Sequence, residues 1–186
     1  MNATDRRAQI LEVAAQEFGD AGLRGASIEE IARAAGITQP YVFRIFGSKK
    51  ALFLEVVAHS FIQLTDSMRD SAQGATGLDA LAAMGARYNA LLADRTALQL
   101  QLQAYAACSD PEVRDAVRGH LATLWTTVAD TTRLDPVTVK TFLAYGMLLN
   151  TNAAVGLSEL DNRWARGIRT RIRPGLFRHI TRDTNR

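Results

Sequence analysis

Residues 27–52 read Ser-Ile-Glu-Glu-Ile-Ala-Arg-Ala-Ala-Gly-Ile-Thr-Gln-Pro-Tyr-Val-Phe-Arg-Ile-Phe-Gly-Ser-Lys-Lys-Ala-Leu. The pattern predicts two short capped helices joined by a glycine turn and followed by a third helix. Ser27 is placed to accept from the amide of Glu30 while the Glu30 side chain reaches back, the reciprocal arrangement of a capping box. Ile28, Ile31, Ala32 and Ala35 then recur at the spacing of one helical face. Gly36 can take the left-handed conformation that closes a helix, and Thr38 can cap the next one. That second helix runs from Gln39 to about Phe46. Pro40 lies in its first turn, where an amide has no intrahelical partner to lose. Val42 and Phe46 face inward. The whole is a helix-turn-helix.

At about 100° per residue, Pro40, Tyr41 and Arg44 fall on the side away from Val42 and Phe46, and Gln39 sits at the amino-terminal tip. A glutamine, an arginine and an aromatic ring can supply a bidentate amide, a bidentate guanidinium and a thymine-methyl contact. These are the residue types that read base edges in a major groove. The competing description is a solvated helix face that Tyr41 and Arg44 merely decorate; the capped turn beside them favours the groove.

Working outward, 186 residues with 47% hydrophobic and 22% charged content suit a folded helical chain with a small first module and a larger body. The opening residues carry no apolar leader, and the longest apolar run, Thr141 to Leu157, is broken by Asn150, Thr151 and Asn152 and is too short to span a membrane comfortably. A buried helix is expected there, and no membrane partner. The single cysteine, Cys108, excludes an intrachain disulfide and suits a reducing cytoplasm. Net charge is uneven. Residues 1–50 hold seven Lys/Arg against six Asp/Glu, residues 51–159 seven against eleven, and residues 160–186 eight arginines against two aspartates. The carboxy-terminal stretch reads as a solvated extension, with additional phosphate contact as its alternative use.

Catalysis finds little support. His59, His120 and His179 are scattered, no Cys-x-x-Cys or His-x-x-x-His spacing occurs, and no glycine-rich phosphate loop is present. No catalytic residue, metal or cofactor is therefore expected, and the chain does not read as an enzyme.

In the body, helices are expected over Lys49 to about Arg69, from Leu78 to Leu92, over Arg95–Ala107, from Pro111 to Thr132 and from Pro136 to Val155. The last is apolar nearly all round, with Phe142, Leu143, Tyr145, Met147, Leu148 and Leu149 on every side. Such a helix must bury most of its circumference, and packing the last two long helices against a twofold mate would do so. A homodimer is expected, which would also set two reading heads on a palindrome. Met84, Tyr88, Tyr105, Trp125, Phe142 and Met147 are candidates for the wall of an adaptable apolar cavity, with plain core packing as the alternative for each. No charged constellation marks an acidic or basic ligand, so a small hydrophobic or amphipathic molecule is the expected one.

Residues 6–52 resemble the DNA-binding domain of the TetR/AcrR family of transcriptional regulators. The likeness runs through Ile10-Leu11, Ala14-Ala15, Phe18, Gly22, Gly25, the Ser27 cap, Ile31-Ala32, Ala35-Gly36, Thr38, Val42-Phe43-Arg44-Ile45-Phe46, Gly47-Ser48-Lys49 and Leu52. Two positions depart from it: the family usually has tyrosine where this chain has Phe43, and histidine or tyrosine where it has Ile45. Phosphate contact then falls to the Ser27 and Thr38 hydroxyls, helix-start amides, Lys49 and Arg6 or Arg7. The resemblance implies an all-α fold: an amino-terminal three-helix helix-turn-helix domain (1–47), a helical ligand-binding and dimerisation domain (48–160) and a basic tail (161–186). It implies a transcriptional regulator, in the first place a repressor that leaves a palindromic double-stranded operator when a small-molecule inducer binds; activators and ligand-free members also occur, so the sign of regulation stays open. The helix after Ser48 would carry movement from ligand to DNA. Ser27, Thr38, Gln39, Pro40, Tyr41, Phe43, Arg44 and Lys49 are the positions expected at DNA. An architectural DNA binder that relies on the basic tail is the alternative.

Overall fold

The computed structural model describes residues 3–170, and these form helices without a strand. They are α1 (Ala3–Gly25), α2 (Ile28–Ala34), α3 (Gln39–Phe46), α4 (Lys49–Ser71), α5 (Gly77–Leu91), α6 (Arg95–Ala106), α7 (Pro111–Thr132), α8 (Pro136–Ala154) and α9 (Arg163–Arg169), with a single 3-10 turn at Leu157–Glu159. The expected all-α fold and its helix-turn-helix are present. Most of the basic tail lies outside the described residues. Within α9, Arg166 pairs with Asp161, and Arg169 donates to the carbonyls of Ser158 and Leu160.

Most helix starts are set by local capping. Ser48 accepts from the amide of Ala51, Asp94 from Thr96 and Ala97, Asp110 from Glu112 and Val113, and Asp135 from Val137 and Thr138. Each satisfies donors that the first helical turn leaves without intrahelical partners. Two caps differ from expectation. The Ser27 hydroxyl does accept from Glu30 N at 3.3 Å, but Glu30 does not reach back. The Ser27 amide donates instead to Glu17 Oε1 at 2.9 Å, and the Glu30 carboxylate pairs with Arg33. A carboxylate from α1 has displaced the local partner. Thr38 holds the cap position of α3 with extended backbone, yet its hydroxyl makes no capping bond.

Gly36 sits at φ +66°, closing α2 in the left-handed region as expected. Gly22 is more constrained. At φ +69° and ψ 177° it breaks the regular path of α1, and an added Cβ would lie 2.6 Å from Gln103 Oε1 on α6. The dihedrals favour glycine strongly, while a shift of the Gln103 side-chain end would relieve the approach.

Two apolar cores fill the molecule. The first unites Ile10, Ala14 and Phe18 of α1, Ile31 of α2, and Val42 and Phe46 of α3 with Leu52, Phe53 and Val56 of α4, Leu100 and Ala104 of α6, and Val113 and Val117 of α7. The Phe18 and Phe53 rings meet edge to face at 5.1 Å. Thus the helix-turn-helix is built into the body through α1 and α4. The second core joins Met68, Ala80, Met84, Leu124, Val128 and Val139 at the other end of α4.

α8, expected to bury most of its circumference with the help of a twofold mate, is open on one side within one chain. Within one chain only Val139 and Asn150 of this helix are buried, while Ala144, Leu148, Thr151 and Val155 remain exposed on one face with Met147 beside them. One chain does not supply enough packing partners to cover so apolar a helix.

Candidate nucleic-acid interface and effector cavity

α3 is anchored by Val42 and Phe46, both buried, and this fixes which side faces out. Gln39, Pro40, Phe43 and Arg44 are exposed and Tyr41 is half-buried, as the helical phase requires. The Arg44 guanidinium carbon lies 4.6 Å from the centre of the Tyr41 ring. That stacking straightens and orients the arginine without consuming its N–H donors. Arg44 has no ion pair among the described residues, so its charge is free for an anion or a base edge.

Cations around the motif divide into engaged and open. Arg7 is bound to both oxygens of Glu55, at 2.8 and 2.6 Å, and stacks on Phe46 at 4.6 Å. It therefore ties α1 to α3 and α4. Arg6 donates to Gln9 and to the Ala35 carbonyl at the end of α2. Lys49 donates to the carbonyls of Arg24 and Ala26, each at 3.0 Å, closing the carboxy-terminal end of α1. It is half-buried, and one ammonium proton is left over by those two bonds. The Ser27 hydroxyl and the exposed Thr38 hydroxyl flank the turn. All eight positions expected at DNA thus cluster on or beside the α2–turn–α3 unit.

A second feature lies between α4, α5, α6, α7 and α8. A cavity of about 90 Å³ is walled almost entirely by apolar groups, among them Leu64, Met68, Tyr88, Tyr105, Phe142 and Met147. It adjoins a larger, more polar recess of about 570 Å³ whose wall includes His59, Asp66, Arg87, Gln101 and Asn150; Leu64, Tyr88 and Gln101 border both. Burial pushes the Tyr88 phenol up to about 12, with a smaller contribution from Tyr105. Burial also raises Tyr105, against the opposing effect of its hydrogen bond with Gln101. Both therefore stay neutral donors through the physiological range. Of the six residues proposed from sequence, Tyr88, Tyr105, Phe142 and Met147 border the cavity. Met84 is fully buried in the second core, and Trp125 packs on that core's edge, so neither reaches the wall. Gln101 and Asn150 were not foreseen. Gln101 is one of three alternating glutamines in α6 and Asn150 one of two asparagines at the end of α8, so no local signal singled them out.

Among the described residues, no group of three or more His, Cys, Asp or Glu side chains could hold a metal, and no helix is long and apolar enough to cross a membrane.

Residues 10–56 match the family model described as bacterial regulatory proteins, tetR family. Over 72 residues the chain is 33% identical to the HTH-type transcriptional activator FasR of Mycolicibacterium smegmatis, covering 39% of this chain and 33% of that protein. Over 99 residues it is 31% identical to the HTH-type transcriptional repressor KstR2 of Rhodococcus jostii, covering 51% and 48%. The match therefore spans a third to a half of these relatives. In fold, the chain is similar to the transcriptional regulator FadR of Bacillus subtilis solved with stearoyl-CoA, at a TM-score of 0.67 and 14% identity over 87% of this chain and 94% of that one.

Proposed function

Through its helix-turn-helix the chain belongs to the tetR family of bacterial regulatory proteins, and on that premise we propose a homodimeric, sequence-specific repressor. It binds a palindromic operator and leaves it when a small apolar or amphipathic molecule enters the cavity. The observation that carries this is the outward face of α3, where Gln39, Tyr41 and an unpaired Arg44 stand over the buried Val42 and Phe46. Arg44 reads a guanine edge, Gln39 an adenine, and Tyr41 and Phe43 present rings to thymine methyls. Ser27, Thr38, the α3 start and the remaining proton of Lys49 hold phosphates.

Dimerisation is supported by the open face of α8, whose Ala144, Leu148, Thr151 and Val155 recur at helical spacing. Beside it α7 exposes the small residues Gly119, Ala122, Thr123 and Thr126. Small residues let helices of two subunits approach closely, and the apolar stripe supplies the driving force.

Coupling is supported by α4. Its first turns pack Leu52 and Phe53 into the core of the reading head, and farther along Leu64 and Met68 border the cavity. A ligand that prefers one placement of α4 biases both heads. A coupling of about 1–3 kcal/mol changes operator affinity several-fold to about a hundredfold. Selection of bound DNA from a random duplex pool at physiological salt tests the proposal. Enrichment of an inverted repeat with half-sites about one helical turn apart, or somewhat more, is expected. Recovery of unrelated sequences would overturn it.

A further inference from the structure

Asn150 is the polar residue that the apolar run of α8 least explains. It is 2% exposed, and its amide nitrogen donates to Gln101 Oε1 at 2.7 Å. Gln101 in turn donates through Nε2 to the Tyr105 hydroxyl at 3.0 Å. A relay of three side chains thus runs from α8 to α6 along the junction of the two cavities, since Asn150 walls the larger, Tyr105 the smaller and Gln101 both. The relay ends on an unpaired atom: Asn150 Oδ1 is buried with no hydrogen-bond partner among the described residues. Burying such a carbonyl is costly unless something completes it, and a packed core would have used leucine here.

The surroundings limit what completes it. The smaller cavity is apolar, with Leu64, Met68, Leu124 and Phe142 in its wall. The larger recess is bordered by Asp66, Asp70, Asp94 and Arg87, with His59 nearby; Asp66 and Asp70 pair with Arg69, and Asp94 caps α6. Arg87 donates to Ser67. Arg87 has no ion pair among the described residues and keeps its charge available, so the choice among head groups falls to the relay rather than to charge. The relay can also reverse. If both amides turn over and Tyr105 becomes the donor, every internal bond is kept and Asn150 presents N–H instead of C=O. A group that both donates and accepts satisfies either direction; a carboxylate satisfies one, and a halide or plain alkyl group neither.

We propose that the effector is an apolar molecule carrying one uncharged hydroxyl or primary amide, held by Asn150 at the end of the Asn150–Gln101–Tyr105 relay while its apolar part fills the space bordered by Tyr88 and Phe142. This rests on the reading of the cavity as an effector site, and it names the chemical class. A site built around a hydrogen bond rejects analogues that lack the group, because its own buried polar atom is then left unpaired.

The test compares 1-octanol, octanoate and 1-chlorooctane at pH 8 on the full chain, following binding by tryptophan fluorescence. Octanol is expected to bind at least about tenfold more tightly than either analogue, the scale of one well-made hydrogen bond to a buried group. Asn150→Leu is expected to erase the preference over 1-chlorooctane while retaining apolar binding, with a thermal midpoint at or above that of the parent. The ranking in the unaltered protein is a test by itself should the variant fold poorly. Equal binding of all three, or a preference that survives Asn150→Leu, overturns this inference and leaves the effector cavity standing. Binding of none overturns both.

Discussion

Arg44 and Tyr41 act as one unit. The ring beneath the guanidinium limits its rotamers, so replacing either residue should weaken reading of the same base pair. Tyr88 offers a separate prediction. Its phenol titrates near 12 in the fold against about 10 when unfolded, so the folded chain holds the proton more tightly. The associated stability is fully present below about pH 10 and is lost as pH rises toward 12. Urea titrations across pH 9–11.5 should show that decline, and Tyr88→Phe should reduce it, leaving the share that belongs to the buried Tyr105. An undiminished slope in the variant would remove Tyr88 as its source. Residue types alone pointed to Tyr88, Tyr105, Phe142 and Met147 as cavity wall. They could not separate these from Met84 and Trp125, because a packed core uses the same side chains and only tertiary position distinguishes them.

At the scale of elements, the helices and turn of the helix-turn-helix were legible because glycine turns and helical phase are local, but two of its cap bonds were not. One of the two caps that differ was redirected by a distant segment of the same chain. Glu17 of α1 takes the Ser27 amide that Glu30 was expected to hold, and no spacing within residues 27–30 could reveal it. Ser27→Ala should still cost about 1 kcal/mol in urea unfolding, because the hydroxyl caps α2 in either arrangement. The junction of α1 and α6 is a stricter test. Gly22→Ala meets a positive φ and an approach of 2.6 Å to Gln103 Oε1, and should destabilise by about 1–3 kcal/mol. Gln103→Ala in the same chain should recover only the steric part. Full recovery would mean that the backbone at Gly22 is unstrained.

At the scale of the whole molecule, α4 joins the helix-turn-helix to the cavity, and α8 carries the open face that the proposed dimer would use. The apolar α8 was read as buried around most of its circumference, which one chain does not achieve; the open stripe at Ala144, Leu148, Thr151 and Val155 is the difference. Leu148→Asp places a charge in that stripe. Sedimentation should then show a monomer that retains helix content yet loses affinity for the palindrome, and a variant that remains dimeric would move the interface elsewhere. Sequence reading by α3 underlies the proposed function. The most direct measurement is fluorescence anisotropy on the selected palindrome and on a scrambled duplex, comparing the intact chain with a Tyr41→Ala, Arg44→Ala variant at equal salt. A loss of about tenfold or more on the palindrome is expected, with little change on the scrambled duplex beyond one lost cation and with unchanged thermal unfolding. Equal affinity of both proteins for the palindrome would contradict it.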